Sequence, residues 1–290
     1  MGWSNGEACM KRRQLIRNVG AGVLGALGLG LTAQWQQAQA QSSGSVVVQW
    51  LGHTCFYFVG DGRRILVNPF RTLGCTAGYR VPQVESDLVL ISSRLLDEGD
   101  LTNVPGNPRL LDEGRDYRFG DFLIQGTAVA HDREGGRRFG ENIIWKWTQG
   151  GVNIVHMGGA AAPIGINEQI LIGRPDVLFV PVGNGPKAYG PEEAVAAVRT
   201  LSPKLVIPTH YRTDAADDTN CDLVPLEDFL TLMSGAQISR GGGDRLTIRP
   251  ANLPASGMKV QTFSYRFTPP APDPSATPAE ATEADPSVEE

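Results

Sequence analysis

Apolar residues in this chain come in short, strand-length runs, and nearly every run is cut off by glycine or proline. "SVVVQWLGHTCFYFVGDGRRILVNP" (Ser45–Pro69) reads as successive strands with a hairpin turn at Gly60–Gly62. "ESDLVLIS" (Glu85–Ser92) is a buried strand. "DYRFGDFLIQGTAVA" (Asp116–Ala130) is two strands around Gly120–Asp121, and "ENIIWKWTQGGVNIVHMGG" (Glu141–Gly159) is a hairpin around "TQGG". "PDVLFVPVG" (Pro175–Gly183) and "PKLVIPTHY" (Pro203–Tyr211) are apolar strands that run into loops. Two segments read as helices. "GPEEAVAAVRTLS" (Gly190–Ser202) has proline in its first turn and acidic residues where the helix dipole favours them; "PLEDFLTLMSG" (Pro225–Gly235) is closed by glycine. Early hairpins followed by strand–helix units predict an α/β layered body, with no repeat of solenoid period.

Neither end reads as part of that body. In residues 1–40 an arginine pair, Arg12 and Arg13, precedes a Gly-rich apolar run (Val19–Ala33), and "AQA" (Ala38–Ala40) supplies the small residues of a cleavage site. The run is short of the roughly 20 residues of a membrane span. The segment is similar to a twin-arginine export signal, which predicts export to the periplasm or another extracytoplasmic lumen and no transmembrane domain after cleavage. An uncleaved N-terminal anchor is the alternative. Residues 269–290 carry six acidic residues, no basic one and no aromatic, and predict a disordered acidic Pro/Ala tail. The folded domain is therefore expected over 45–268.

The chain's net charge is −5; its leader holds four basic residues and one acidic, its tail six acidic, so the body sits near −2. It has no basic stripe, and nucleic-acid binding is not expected. With Cys9 in the leader, Cys55, Cys75 and Cys221 remain, and the simplest arithmetic is one disulfide and one buried thiol.

Seven segments between Val46 and Arg212 resemble, in order, those of the metallo-β-lactamase fold, most of all its small L-ascorbate-lactonase-like hydrolases. "WLGHTCFYF" resembles the opening Gly-His-Ser-Ser-Phe strand. "ILVNP" resembles Ile-Asp-Pro, with Asn68 for Asp. "DLVLISSRLLDEGD" stands where the family has His-x-His-x-Asp-His. "VAHDREGGRRFGENIIW" retains a metal-binding histidine as His131. "VHMGG" resembles His-x-Gly-Asp, with Gly159 for the bridging Asp. "PVGN" resembles Pro-x-Gly-Gly, and "PKLVIPTHY" delivers the last histidine as His210. The resemblance implies an αββα four-layer sandwich and, for active members, two metal ions that activate a bridging water. It also places Cys75 and Cys221 in loops at the ligand end of the sheets, which makes them the expected disulfide, with Cys55 pointing inward.

Carried over residue by residue, the first ion would use positions 93, 95 and 131, and Ser93 and Leu95 leave His131 alone. The second would use 97, 98 and 210 with the bridge at 159. Asp97 and His210 are retained, Glu98 replaces His, and Gly159 contributes nothing. Two ions are thereby excluded. One divalent ion on Asp97, Glu98 and His210, with or without His131, is one expectation; no ion, with these residues hydrogen-bonded among themselves, is the other. His53, Ser93 and Tyr211 are expected to line the same pocket, and His156 to be a core histidine. Ser92 and Ser93 lack a Gly-x-Ser-x-Gly elbow, and "GGAAAPIG" (Gly158–Gly165) and "RGGGD" (Arg240–Asp244) read as turns rather than phosphate loops. Two functions follow as expectations. The first is an exported protein that has lost dinuclear chemistry and binds a small molecule or a protein partner. The alternative is a hydrolase working with one non-standard metal ion.

Overall fold

The structure, a computed structural model, describes residues 44–267. The leader with its cleavage site and the acidic tail lie outside the described residues.

In chain order the strands are β1 (Val46–Gly52), β2 (Cys55–Gly60), β3 (Arg63–Val67), β4 (Leu88–Leu90), β5 (Arg109–Leu111), β6 (Asp116–Phe119), β7 (Phe122–Ala130), β8 (Glu141–Gln149) and β9 (Val152–His156). After helix α1 (Ile166–Ile172) come β10 (Val177–Pro181), α2 (Pro191–Leu201), β11 (Leu205–Thr209), α3 (Leu226–Leu232), β12 (Gln237–Arg240), β13 (Arg245–Ile248) and β14 (Lys259–Thr262). Two mixed sheets result. One has the order β13-β1-β2-β3-β4-β5 and the other β12-β14-β11-β10-β9-β8-β7-β6. This is the sandwich that the resemblance implied.

The turns follow from local chemistry. Asp61 and Gly62, at φ 50° and 68°, make the β2–β3 hairpin, and Gly150 and Gly151, at 59° and 73°, make the β8–β9 hairpin. These two turns, one from each sheet, are tied together. Gly150 N–H donates to Asp61 Oδ2, and the buried Gln149 side chain donates to the carbonyls of Gly60 and Arg63. That tie closes one end of the sandwich.

The core between the sheets is aromatic. Phe56 and Phe58 of β2 meet Phe179 of β10 at 4.8 and 5.3 Å between ring centroids, and Phe58 meets Trp147 of β8 at 5.0 Å, edge to face. All four are buried. β10 and β11 are buried along their whole length, as parallel strands covered on both faces are. α2 turns its Ala194, Val198 and Leu201 inward.

The strands and the two helices expected from sequence form close to where they were placed. α1, β5 and the last three strands carry no clear signal in the sequence, and all are short. α1 leaves Ile166 and Ile170 73% exposed, so its apolar residues do not trace a core-facing stripe. "RGGGD" is the turn expected, and it carries the chain from β12 in one sheet to β13 in the other.

Candidate functional site

The candidate side chains leave the loops that follow β1, β4, β7, β9, β10 and β11, so the second end of the sandwich gathers them all. His53, Asn68, Asn184 and His210 adopt φ of 52°, 51°, 66° and 52°, a left-handed backbone that costs a side-chain-bearing residue free energy. Each lies at or just beyond a strand end, and packing holds it there. His53 O accepts from Trp50 Nε1 at 3.0 Å, and Asn68 Oδ1 accepts from Ser92 N–H at 2.8 Å. A Cβ on Gly183 would lie 2.0 Å from His210 O, so only glycine allows the β10 loop this close to His210.

Two groups of side chains form there. In the first, one nitrogen from each of His53 and His210 and one oxygen of Asp97 lie within 4.8 Å of one another. His53 Nε2 is 3.7 Å from Asp97 Oδ2, and the two imidazole rings are 4.2 Å apart at 64°. Both histidines are buried, and His53 Nε2 and His210 Nδ1 have no hydrogen-bond partner among the described residues. Lys187, from the loop after β10, donates to Asp97 Oδ2. Burial holds the His210 pKa well below its ordinary value, with the neighbouring His53 and Lys187 adding to it, so His210 is a neutral imidazole at pH 7. Burial works against ionised Asp97, but His53 and Lys187 outweigh it and hold the carboxyl well below the usual range.

The second group is Glu98 and His131. Both are fully buried, with Glu98 Oε1 3.5 Å from His131 Nε2. Neither oxygen of Glu98 and neither nitrogen of His131 has a hydrogen-bond partner among the described residues. The resemblance puts Glu98 with Asp97 and His210, with or without His131; in the structure its near neighbour is His131. The reason is at Gly159. A Cβ there would lie 2.2 Å from Glu98 Oε1 and 2.5 Å from His131 Nε2. Glu98 and His131 therefore fill the space that a side chain at 159 would need. Gly159 itself is fixed by its N–H on Asn142 Oδ1 at 2.9 Å.

The remaining expected residues do other things. Ser93 Oγ accepts from Leu95 N–H at 3.3 Å and braces its own loop. Tyr211 is buried with its ring 5.8 Å from that of Trp50, in an aromatic cluster with Tyr79 and Phe263. His156 is a core histidine. Its Nδ1 accepts from Gly158 N–H, which puts the proton on Nε2 facing Thr54 O at 3.1 Å, and burial pulls its pKa down to about 4. Cys55 is buried, and burial pushes its thiol well above the ordinary value, so it is no nucleophile. Cys75 and Cys221 are joined, as the resemblance implied. Lys187 was missed; a lysine inside "GNGPKAYG" has no ligand spacing and no periodicity to announce it.

The family's two-ion ligand set is incomplete here: Ser93 Oγ accepts from Leu95 N–H, Leu95 is apolar, and position 159 has no side chain. One ion fits the spacing of His53, Asp97 and His210, where it would supply Lewis acidity.

Comparison with known proteins agrees with the fold. A family model described as "Beta-lactamase superfamily domain" matches residues 47–210. A UPF0173 metal-dependent hydrolase from Thermococcus onnurineus is 30% identical over 195 residues, 58% of this chain and 85% of the relative. Another from Methanoculleus marisnigri is 30% identical over 199 residues, 62% of this chain and 85% of the relative. The crystal structure of a metallo-beta-lactamase superfamily protein from Thermotoga maritima superposes with a TM-score of 0.60 at 27% identity, over 76% of this chain and 100% of that one.

Proposed function

The chain belongs to the beta-lactamase superfamily domain family, and from that premise we propose that it is an exported member whose inherited cleft binds a small molecule or a protein partner and no longer runs two-metal hydrolysis. One observation carries this reading: the position of the bridging carboxylate is Gly159, and the Glu98 and His131 side chains fill the space beside it. Ser93 and Leu95 support it, since neither supplies the imidazole that the family has at those positions, and the carboxylate of Glu98 is what stands beside His131.

The test is hydrolysis of simple ester, lactone and phosphodiester substrates with and without added Zn2+ or Mn2+. The expected result is no metal-dependent turnover. Turnover that needs metal and vanishes in Asp97→Ala would contradict it. Export rests on the arginine pair, and Arg12→Lys with Arg13→Lys should leave the protein in the cytoplasm; unchanged export would mean another route.

A second reading keeps a specific observation in its favour. His53, Asp97 and His210 are spaced for one ion, and the relatives in Thermococcus and Methanoculleus are described as metal-dependent hydrolases. On that reading the chain hydrolyses its substrate with a single ion.

A further inference from the structure

Lys187 enters the cleft between Pro186 and Ala188, on the loop that follows β10, and meets Asp97 on the loop that follows β4. Asp97 Oδ2, the oxygen that accepts from Lys187, is also the one 3.7 Å from His53 Nε2. Donors about 2.0–2.2 Å from one ion lie roughly 3–4 Å apart, so that oxygen and that nitrogen have the separation of two ligands on one ion. The ammonium therefore sits on the donor atom that an ion would need. Around it stand two buried imidazole nitrogens, on His53 and His210, and one residue along the chain the buried Glu98 carboxylate, all without hydrogen-bond partners among the described residues. Lys187 is the cation among these groups. Its head is a compact charge on a flexible stem, and its side chain is 19% exposed, so it can withdraw without disturbing either sheet.

We propose that the Lys187 ammonium is a tethered counter-ion that takes the place of a metal ion at Asp97, and that His53, Asp97 and His210 form a latent site for one divalent transition ion, closed while Lys187 is in place. This deepens the reading above and rests on it, because it requires the wild-type cleft to work without tightly held metal. A divalent ion at the site would sit within a few ångströms of the ammonium, and the two like charges exclude one another. Without the ammonium, an oxygen-and-imidazole site of net negative charge remains, which is the composition that recruits Zn2+ or Mn2+.

The test is calorimetric titration of ZnCl2 and MnCl2 into the full chain, stripped with chelator and dialysed, for wild type, Lys187→Met, Lys187→Gln and Lys187→Arg. Lys187→Met and Lys187→Gln should each take up about one ion per chain, at least about 100-fold tighter than wild type. Lys187→Arg keeps the charge and should stay with wild type. Adding His210→Ala to Lys187→Met should abolish the gain.

Each other result overturns the proposal in its own way. A wild type that binds one ion tighter than roughly 1 μM does so whether or not any variant folds. A gain in Lys187→Arg would mean that bulk, not charge, closes the site. Folded Lys187→Met and Lys187→Gln that bind no better than a blank wild type sink this inference alone and leave the functional reading standing. Two ions on wild type sink both.

Discussion

Glu98 is the residue on which the account is most exposed. It is a fully buried carboxylate whose two oxygens lack hydrogen-bond partners among the described residues, with His131 Nε2 3.5 Å from its Oε1. Burial works against its ionised form, but the neighbouring His131 and Lys187 outweigh it and hold the carboxyl below the usual range, and a buried charge is costly once its partners are removed. Glu98→Gln removes the charge and keeps the shape. Without a bound ion, thermal melts should show the variant as stable as wild type or more so, with chelator changing neither. A wild type that melts lower with chelator, and higher than the variant without it, would mean that an ion is held there. His156 gives the pH dependence. Its native pKa is depressed to about 4 by burial, against about 6.5 unfolded. Its stabilising neutral form is therefore fully present above pH 6.5. As pH falls from about 6.5 towards 4, the unfolded chain takes up a proton that the native chain refuses, and about 3 kcal/mol of stability is lost. Denaturant titrations across that range should show His156→Gln with a shallower slope, by about one proton; an equal slope would assign the acid sensitivity elsewhere.

At the level of elements, the strands and their turns were legible and the cleft's pairings were not. "GDG" and "TQGG" fix two hairpins by their tolerance of positive φ, and the apolar runs of β10 and β11 can only be doubly covered strands. Three- and four-residue strands such as β5 and β13 carry too few residues for a period to register. Within the loop after β4, Asp97 and Glu98 are neighbours in sequence yet serve different groups, one with His53, His210 and Lys187, the other with His131. The loop's path decides that division, and spacing does not encode a path. Lys187 was invisible for a related reason: only the folded β10 loop brings it to Asp97. The Cys75–Cys221 bridge joins two such loops, after β3 and after β11, across 146 residues of sequence. The same loops are also joined by Gly78 N–H on Ala215 O at 2.8 Å and by a 2.8 Å bond between the Tyr79 and Thr213 hydroxyls. Replacing both cysteines by serine should cost about 2–5 kcal/mol, read as a lower denaturant midpoint. An unchanged midpoint would show that those non-covalent contacts suffice.

As a whole molecule, the chain has its family's sandwich and a cleft at one end of it. Gly159 offers no side chain there, and the Glu98 carboxylate reaches the same space; Leu95 offers no donor; Lys187 brings a positive charge to Asp97. Together they form a cleft whose charges are partly answered from within the chain, by Lys187 on Asp97 and by His131 beside Glu98. The resemblance made the loops of the cleft readable from sequence, because seven motifs in order fix the register of the whole body; the ligand-spaced cluster there is His53, Asp97 and His210, where the resemblance had put Glu98 in place of His53. The pairing of Asp97 with Lys187 and of Glu98 with His131 could be read only once the loops were brought together. The most direct measurement is elemental analysis of the wild-type protein purified without chelator. The account predicts well under one tightly bound transition-metal ion per chain, unchanged by Asp97→Ala or His210→Ala; two ions per chain, lost in either variant, would contradict it.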